Sequence, residues 1–178
     1  MRLFHFSEDP GIERFVPRPV RVPSARAEGG GWLNGPLVWA IDEWHSPMYL
    51  FPRDCPRILL WPVAGTTPDD RARWLGSTDA RIVAHVERRW WGRLRSAAIH
   101  RYELPVATFE SLDDAGMHVS RGEVTPLAVE TIADLPGALA GAGVELRVLA
   151  DLTPLRGAWA TSLHASGIRL RNARGWRT

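Results

Sequence analysis

Apolar runs in this sequence are short, and turn-forming residues close nearly every one. Sixteen glycines and fourteen prolines supply much of that punctuation, and what fits between the breaks is a series of strands of about five residues. Residues 2–6 (RLFHF) alternate polar and apolar positions as a half-buried strand does, and SEDPG at 7–11 then turns the chain. Residues 37–41 (LVWAI) and 57–61 (RILLW) read as buried strands, and 98–104, 117–120, 127–132, 144–149 and 168–170 complete the set.

Helical segments are fewer. Asp42 caps a short helix over residues 43–51, which Pro52 stops. Thr67, Pro68, Asp69 and Asp70 supply a cap, a first-turn proline and favourable acidic charges for a helix that runs to Leu75 and ends at Gly76. Ile82, Val86 and Trp90 recur at every fourth position, with Val83, Trp91 and Leu94 alongside. This spacing predicts an amphipathic helix over 79–95 whose Arg88, Arg89, Arg93 and Arg95 face water. A short helix is expected at 135–139 and a longer one at 153–164. Strands and helices mix irregularly, without the alternation of a doubly wound sheet or a barrel. The expectation is therefore a single α+β domain over residues 1–178, with a mixed or mainly antiparallel sheet and flanking helices. Residues 16–36, rich in proline, arginine and glycine, read as a mobile surface loop of the kind that covers sites.

Composition narrows the chemistry. With 45% hydrophobic and 24% charged residues the chain has ordinary globular content rather than the signature of disorder. No apolar run approaches the roughly 20 residues that cross a bilayer, and Glu8 and Asp9 interrupt the apolar start where a signal peptide has its core. The lone Cys55 excludes an internal disulfide and a cysteine-rich zinc site, so a reducing, cytoplasmic setting is expected. All 22 basic residues are arginine; without lysine, neither Schiff-base catalysis nor a Walker phosphate loop is available. Planar guanidiniums suit forks with phosphate or carboxylate. The six histidines show no ligand spacing, so no metal is expected.

Polar candidates concentrate in the first 57 positions. In DEWHSPMYLFPRDCPR, His45 and Tyr49 fall four apart, and Arg53 and Arg57 follow the helix break. Two arginines so placed can clamp a phosphate bidentately; alternatively Arg53 pairs with Asp54, and Arg57 with Asp42 or Glu43, to pin the turn. Those guanidiniums would also lower the pKa of Cys55, yet without a histidine base beside it the thiol reads as structural. His5 shares a strand face with Ser7 and can bond a ribose or carry a proton; a backbone-satisfied, half-buried histidine is the plainer reading. Glu123 and Glu130 flank GEVTPLAVE, as a catalytic carboxylate or as solvated strand-end charges.

The strings HFSEDP (5–10), FVPR (15–18), VWAID (38–42), FPRDCPR (51–57) and GIRLRNA (167–173) resemble an uncharacterised bacterial domain-of-unknown-function family over nearly the whole chain. The chain is also similar to ADP-ribosyltransferase-type folds. That resemblance implies His5 on a first strand, VWAID with Tyr49 as a second element, and Glu123 or Glu130 as the carboxylate that stabilises oxocarbenium-like charge. The expected function is binding of a phosphate-bearing nucleotide of the NAD or ADP-ribose type, NAD serving as substrate, with ribosyl transfer or hydrolysis. His5 and Ser7 would hold the ribose, Tyr49 would stack, and Arg18, Arg53 and Arg57 would take the pyrophosphate. The alternative is a non-enzymatic module whose Arg88–Arg95 stretch and basic tail, residues 169–177, contact RNA or an acidic protein.

Overall fold

A computed structural model describes residues 1–23 and 28–176. Its strands are β1 (Leu3–Ser7), β2 (Val38–Asp42), β3 (Arg57–Trp61), β4 (Ile82–Glu87), β5 (Ile99–Leu104), β6 (Glu110–Ser111), β7 (Met117–Ser120), β8 (Ala128–Ile132), β9 (Val144–Leu149) and β10 (His164–Ile168). Among the described residues they form two sheets, ordered β6-β7-β2-β1-β5-β8 and β10-β3-β4-β9, which is the expected α+β class. The chain divides into two compact units: Met1–Ser46 with Ile99–Thr131, and Pro47–Ala98 with the residues from Ile132 onward.

In the first unit, β1 pairs antiparallel with β2 and β5, which sets His5 opposite Tyr102. Alternation then points Leu3, Val38, Ala40, Tyr102 and Leu104 to one face, where Phe15 and Val124 cover them. Full burial of each leucine, valine or phenylalanine there contributes about 1.5–3 kcal/mol. Phe15 and Val124 exchange backbone hydrogen bonds of 2.8 and 2.9 Å, and the Tyr102 hydroxyl donates to Asp9 O at 2.7 Å while accepting from Ile12 N at 3.1 Å. The turn after β1 is thereby tied down onto the sheet. The loop expected over 16–36 contains a bridge between Arg18 and Leu37 and a 3-10 turn at Gly31–Asn34; its residues 24–27 lie outside the described residues.

In the second unit, β3 pairs antiparallel with β10 and β4, and β4 pairs parallel with β9. The helix expected over 79–95 is replaced by β4, a 3-10 turn at Arg88–Trp90 and a short α-helix, Trp91–Ser96. All six β4 residues are buried, because the strand lies between two others with both faces covered. Residues on both faces are therefore buried alike, His85 and Glu87 included, and the strand gives no period-2 signal. Residues 153–164 likewise form a 3-10 helix, Thr153–Ala160, followed by β10, not one α-helix. Residues 43–51 hold only a 3-10 turn, Ser46–Tyr49, in place of the expected helix; Asp42 Oδ1 accepts from His45 N at 2.8 Å in the turn that precedes it and does not cap a helix. The Thr67-capped segment does form, starting α-helical at Pro68–Asp70 and widening to a π-turn at Arg71–Leu75. Leu75, Leu152, Leu155, Ala158 and Leu163 pack on Ile58, Leu60 and Val83. Among the described residues no helix is long and apolar enough to cross a membrane.

Candidate functional site

FPRDCPR leads into β3, and GIRLRNA closes β10 and turns away from it; the register sets Ile168 opposite Arg57. Arg57 is 3% exposed. Its Nε donates to Met48 O at 2.7 Å and its Nη1 to Cys55 O at 2.9 Å. The guanidinium carbon sits 4.9 Å from the Phe51 ring centre and 5.5 Å from that of Tyr49. Neither Asp42 nor Glu43 pairs with it: Asp42 binds His45, and Glu43 binds Arg2. No hydrogen bond from the described residues engages Nη2. Burial pushes the Arg57 pKa down to about 10, and the charge on Arg169 acts in the same direction.

Arg169 explains that coupling. It adopts a left-handed backbone, φ 57°, a conformation that costs a non-glycine residue on the order of 1 kcal/mol or more. Its Nε donates to Arg53 O at 3.2 Å, and Asn172 Nδ2 donates to Asp54 O at 2.8 Å, so the two strings are knitted together. Burial lowers the pKa of Arg169, and the charges on Arg171 and Arg53 lower it further, opposed by Asp54. Arg171 is exposed, with neither an ion pair nor a hydrogen bond from the described residues. Four guanidiniums, those of Arg53, Arg57, Arg169 and Arg171, thus gather around one turn. The fully buried carboxylate of Glu87, also in this unit, is engaged elsewhere, accepting from Arg89 Nε and Arg174 N at 2.6 Å each. Such an arrangement can take an anion with several acceptor oxygens. Cys55 is buried within it, and burial pushes its thiol up to about 11, outweighing Arg57. It is a structural thiol.

The other expected residues fall in the first unit. His5 Nδ1 lies 2.8 Å from Trp39 O, and its ring packs 4.7 Å from Phe15. Ser7 Oγ accepts from Asp9 N at 3.1 Å and shapes the turn. His45 Nδ1 donates to Asp42 at 2.8 Å, in a pair so close to Gly116 that a Cβ there would meet His45 Nδ1 at 2.3 Å. Glu123 forms an exposed ion pair with Arg14 and Glu130 one with Arg101. Arg18 is exposed beside its bridge to Leu37. Tyr49, Arg53 and Arg57 come together in the second unit; Arg169 and Arg171, read from sequence only as part of a basic tail, join them. The available signal was that both strings carry paired arginines, but only strand pairing reveals that they meet.

A family model for a family of unknown function (DUF6886) matches residues 4–173. No curated protein and no solved structure matches the chain.

Proposed function

The chain belongs to DUF6886, a family of unknown function, and from that premise we propose that it binds a phosphate-bearing nucleotide of the NAD or ADP-ribose type through Arg53, Arg57, Arg169 and Arg171. The observation that carries this reading is the buried Arg57, whose Nη2 has no hydrogen bond from the described residues, beside Arg169 and the exposed Arg171. Like charges repel at this range, and a phosphate or pyrophosphate bridging them relieves the repulsion while supplying charge-assisted hydrogen bonds. Tyr49, half-buried against Arg57, offers the ligand a ring face. Glu123 and Glu130 each hold an arginine of the first unit, Arg14 and Arg101.

Calorimetry with ADP-ribose, NAD and phosphate-free adenosine tests it. The two phosphate ligands should bind, adenosine should not, and Arg171→Ala should weaken binding at least about tenfold, one charge-assisted contact being worth about 1.5–3 kcal/mol. Absence of heat at millimolar ligand, with an unaltered melting temperature, would overturn the proposal.

A further inference from the structure

Neighbouring residues of a strand point to opposite faces, so His85, paired with Ile58, lies on the sheet face opposite Arg57. That face carries a cavity of about 510 Å³, a volume within the range of small-molecule sites. His85 is buried at 3% exposure. Its Nδ1 lies 3.2 Å from Ile58 O; a carbonyl only accepts, so Nδ1 carries the proton and Nε2 of the neutral ring is an acceptor. No hydrogen bond from the described residues reaches Nε2.

Arg147, paired with His85 across β4 and β9, is engaged through all three guanidinium nitrogens. Nε donates to Glu145 at 2.6 Å, Nη1 to Trp74 O at 3.1 Å and Nη2 to Leu75 O at 2.5 Å. It builds the wall, and its charge helps burial keep the imidazole neutral. Arg73 is different: it is exposed at the rim, 5.8 Å from the Trp74 ring centre, without an ion pair or hydrogen bond from the described residues. Its acidic neighbour Asp70 is already held by Ser162, through N at 2.7 Å and Oγ at 2.6 Å. Asp151 uses Oδ1 for Thr153 N, at 2.9 Å, and for the Thr153 hydroxyl. Those bonds lower the pKa of its carboxylate, as does the charge on Arg174, and leave Oδ2 as an acceptor not used by Thr153.

Beside Arg147, whose three guanidinium nitrogens are all hydrogen-bonded, the cavity presents one further cation, one carboxylate and one neutral acceptor against the apolar surfaces of Trp74, Leu149, Pro154 and Leu155. The complement is a zwitterion with an apolar body. We propose that this cavity binds a small aminocarboxylate with an apolar side chain. Arg73 takes its carboxylate, Asp151 Oδ2 and His85 Nε2 accept from its ammonium, and Trp74 and Leu155 pack its side chain. This site is independent of the arginine site on the other face.

The test is calorimetry, together with the His85 ring resonances, using free phenylalanine and leucine beside their N-acetyl and carboxamide forms. The free amino acids should bind and move the His85 resonances, and either blocking group should weaken binding about tenfold or more. Arg73→Gln should abolish the difference between acid and amide, and Arg171→Ala should leave binding unchanged. Silent His85 resonances and no heat at millimolar amino acid would overturn the proposal. Equal binding of blocked forms would do so too, as would displacement of the His85 resonances by nucleotides instead.

Discussion

Acidification from about pH 7.5 to about pH 5 should destabilise this protein through a single imidazole. His85 is almost wholly buried, and burial pushes its pKa from the ordinary 6.5 down to about 4; the Ile58 carbonyl opposes that shift and Arg147 adds to it, with Glu145 facing the same ring. Between those two values the unfolded chain binds a proton that the folded chain refuses. Stability is therefore complete above about 6.5, falls as the pH drops through that value, and levels off below about 4. At 1.36 kcal/mol per pH unit the whole displacement is worth about 3 kcal/mol, of which about 2 kcal/mol is lost by pH 5. His85→Gln retains a donor for Ile58 O without titrating. Urea denaturation at both pH values should show the wild type losing about 2 kcal/mol more than the variant. Equal losses, or a His85 ring that titrates near 6.5 by NMR, would refute the reasoning.

Gly116→Ala should destabilise the first unit by more than about 1 kcal/mol in chemical denaturation. The site has φ 70°, and a Cβ would meet both His45 Nδ1 and, at 2.5 Å, Asp42 Oδ2; an unchanged midpoint would contradict the packing described. Glu87→Gln should cost about 1–3 kcal/mol, since an amide cannot accept from both Arg89 and Arg174 N as the carboxylate does. The check is a thermal melt, and a variant as stable as the wild type would count against that network.

Local pattern alone was enough for elements whose signals are local. The alternation in RLFHF, the run RILLW and the Thr67 cap each specify a strand or a helix start from adjacent residues, and all three stand where expected. Residues 82–87 defeated the same reasoning because burial on both faces of β4 leaves no periodicity to read, and a chance four-residue spacing then imitates a helix. The paired arginines of FPRDCPR were legible as candidate anion ligands. Arg169 and Arg171 were not, because more than a hundred positions separate them from Arg53 and only the β3–β10 pairing joins them. His85 was equally hidden: its tautomer depends on a carbonyl of another strand, and its cavity on Arg147, Trp74 and Asp151, each brought by a different segment. By itself the sequence determined the short strands, the Thr67 cap, the α+β class and a basic complement made wholly of arginine, since each depends on neighbouring residues or on composition. Tertiary structure alone decided which guanidiniums meet and which imidazole is held neutral, because proximity and desolvation belong to the packed chain and not to any segment of it.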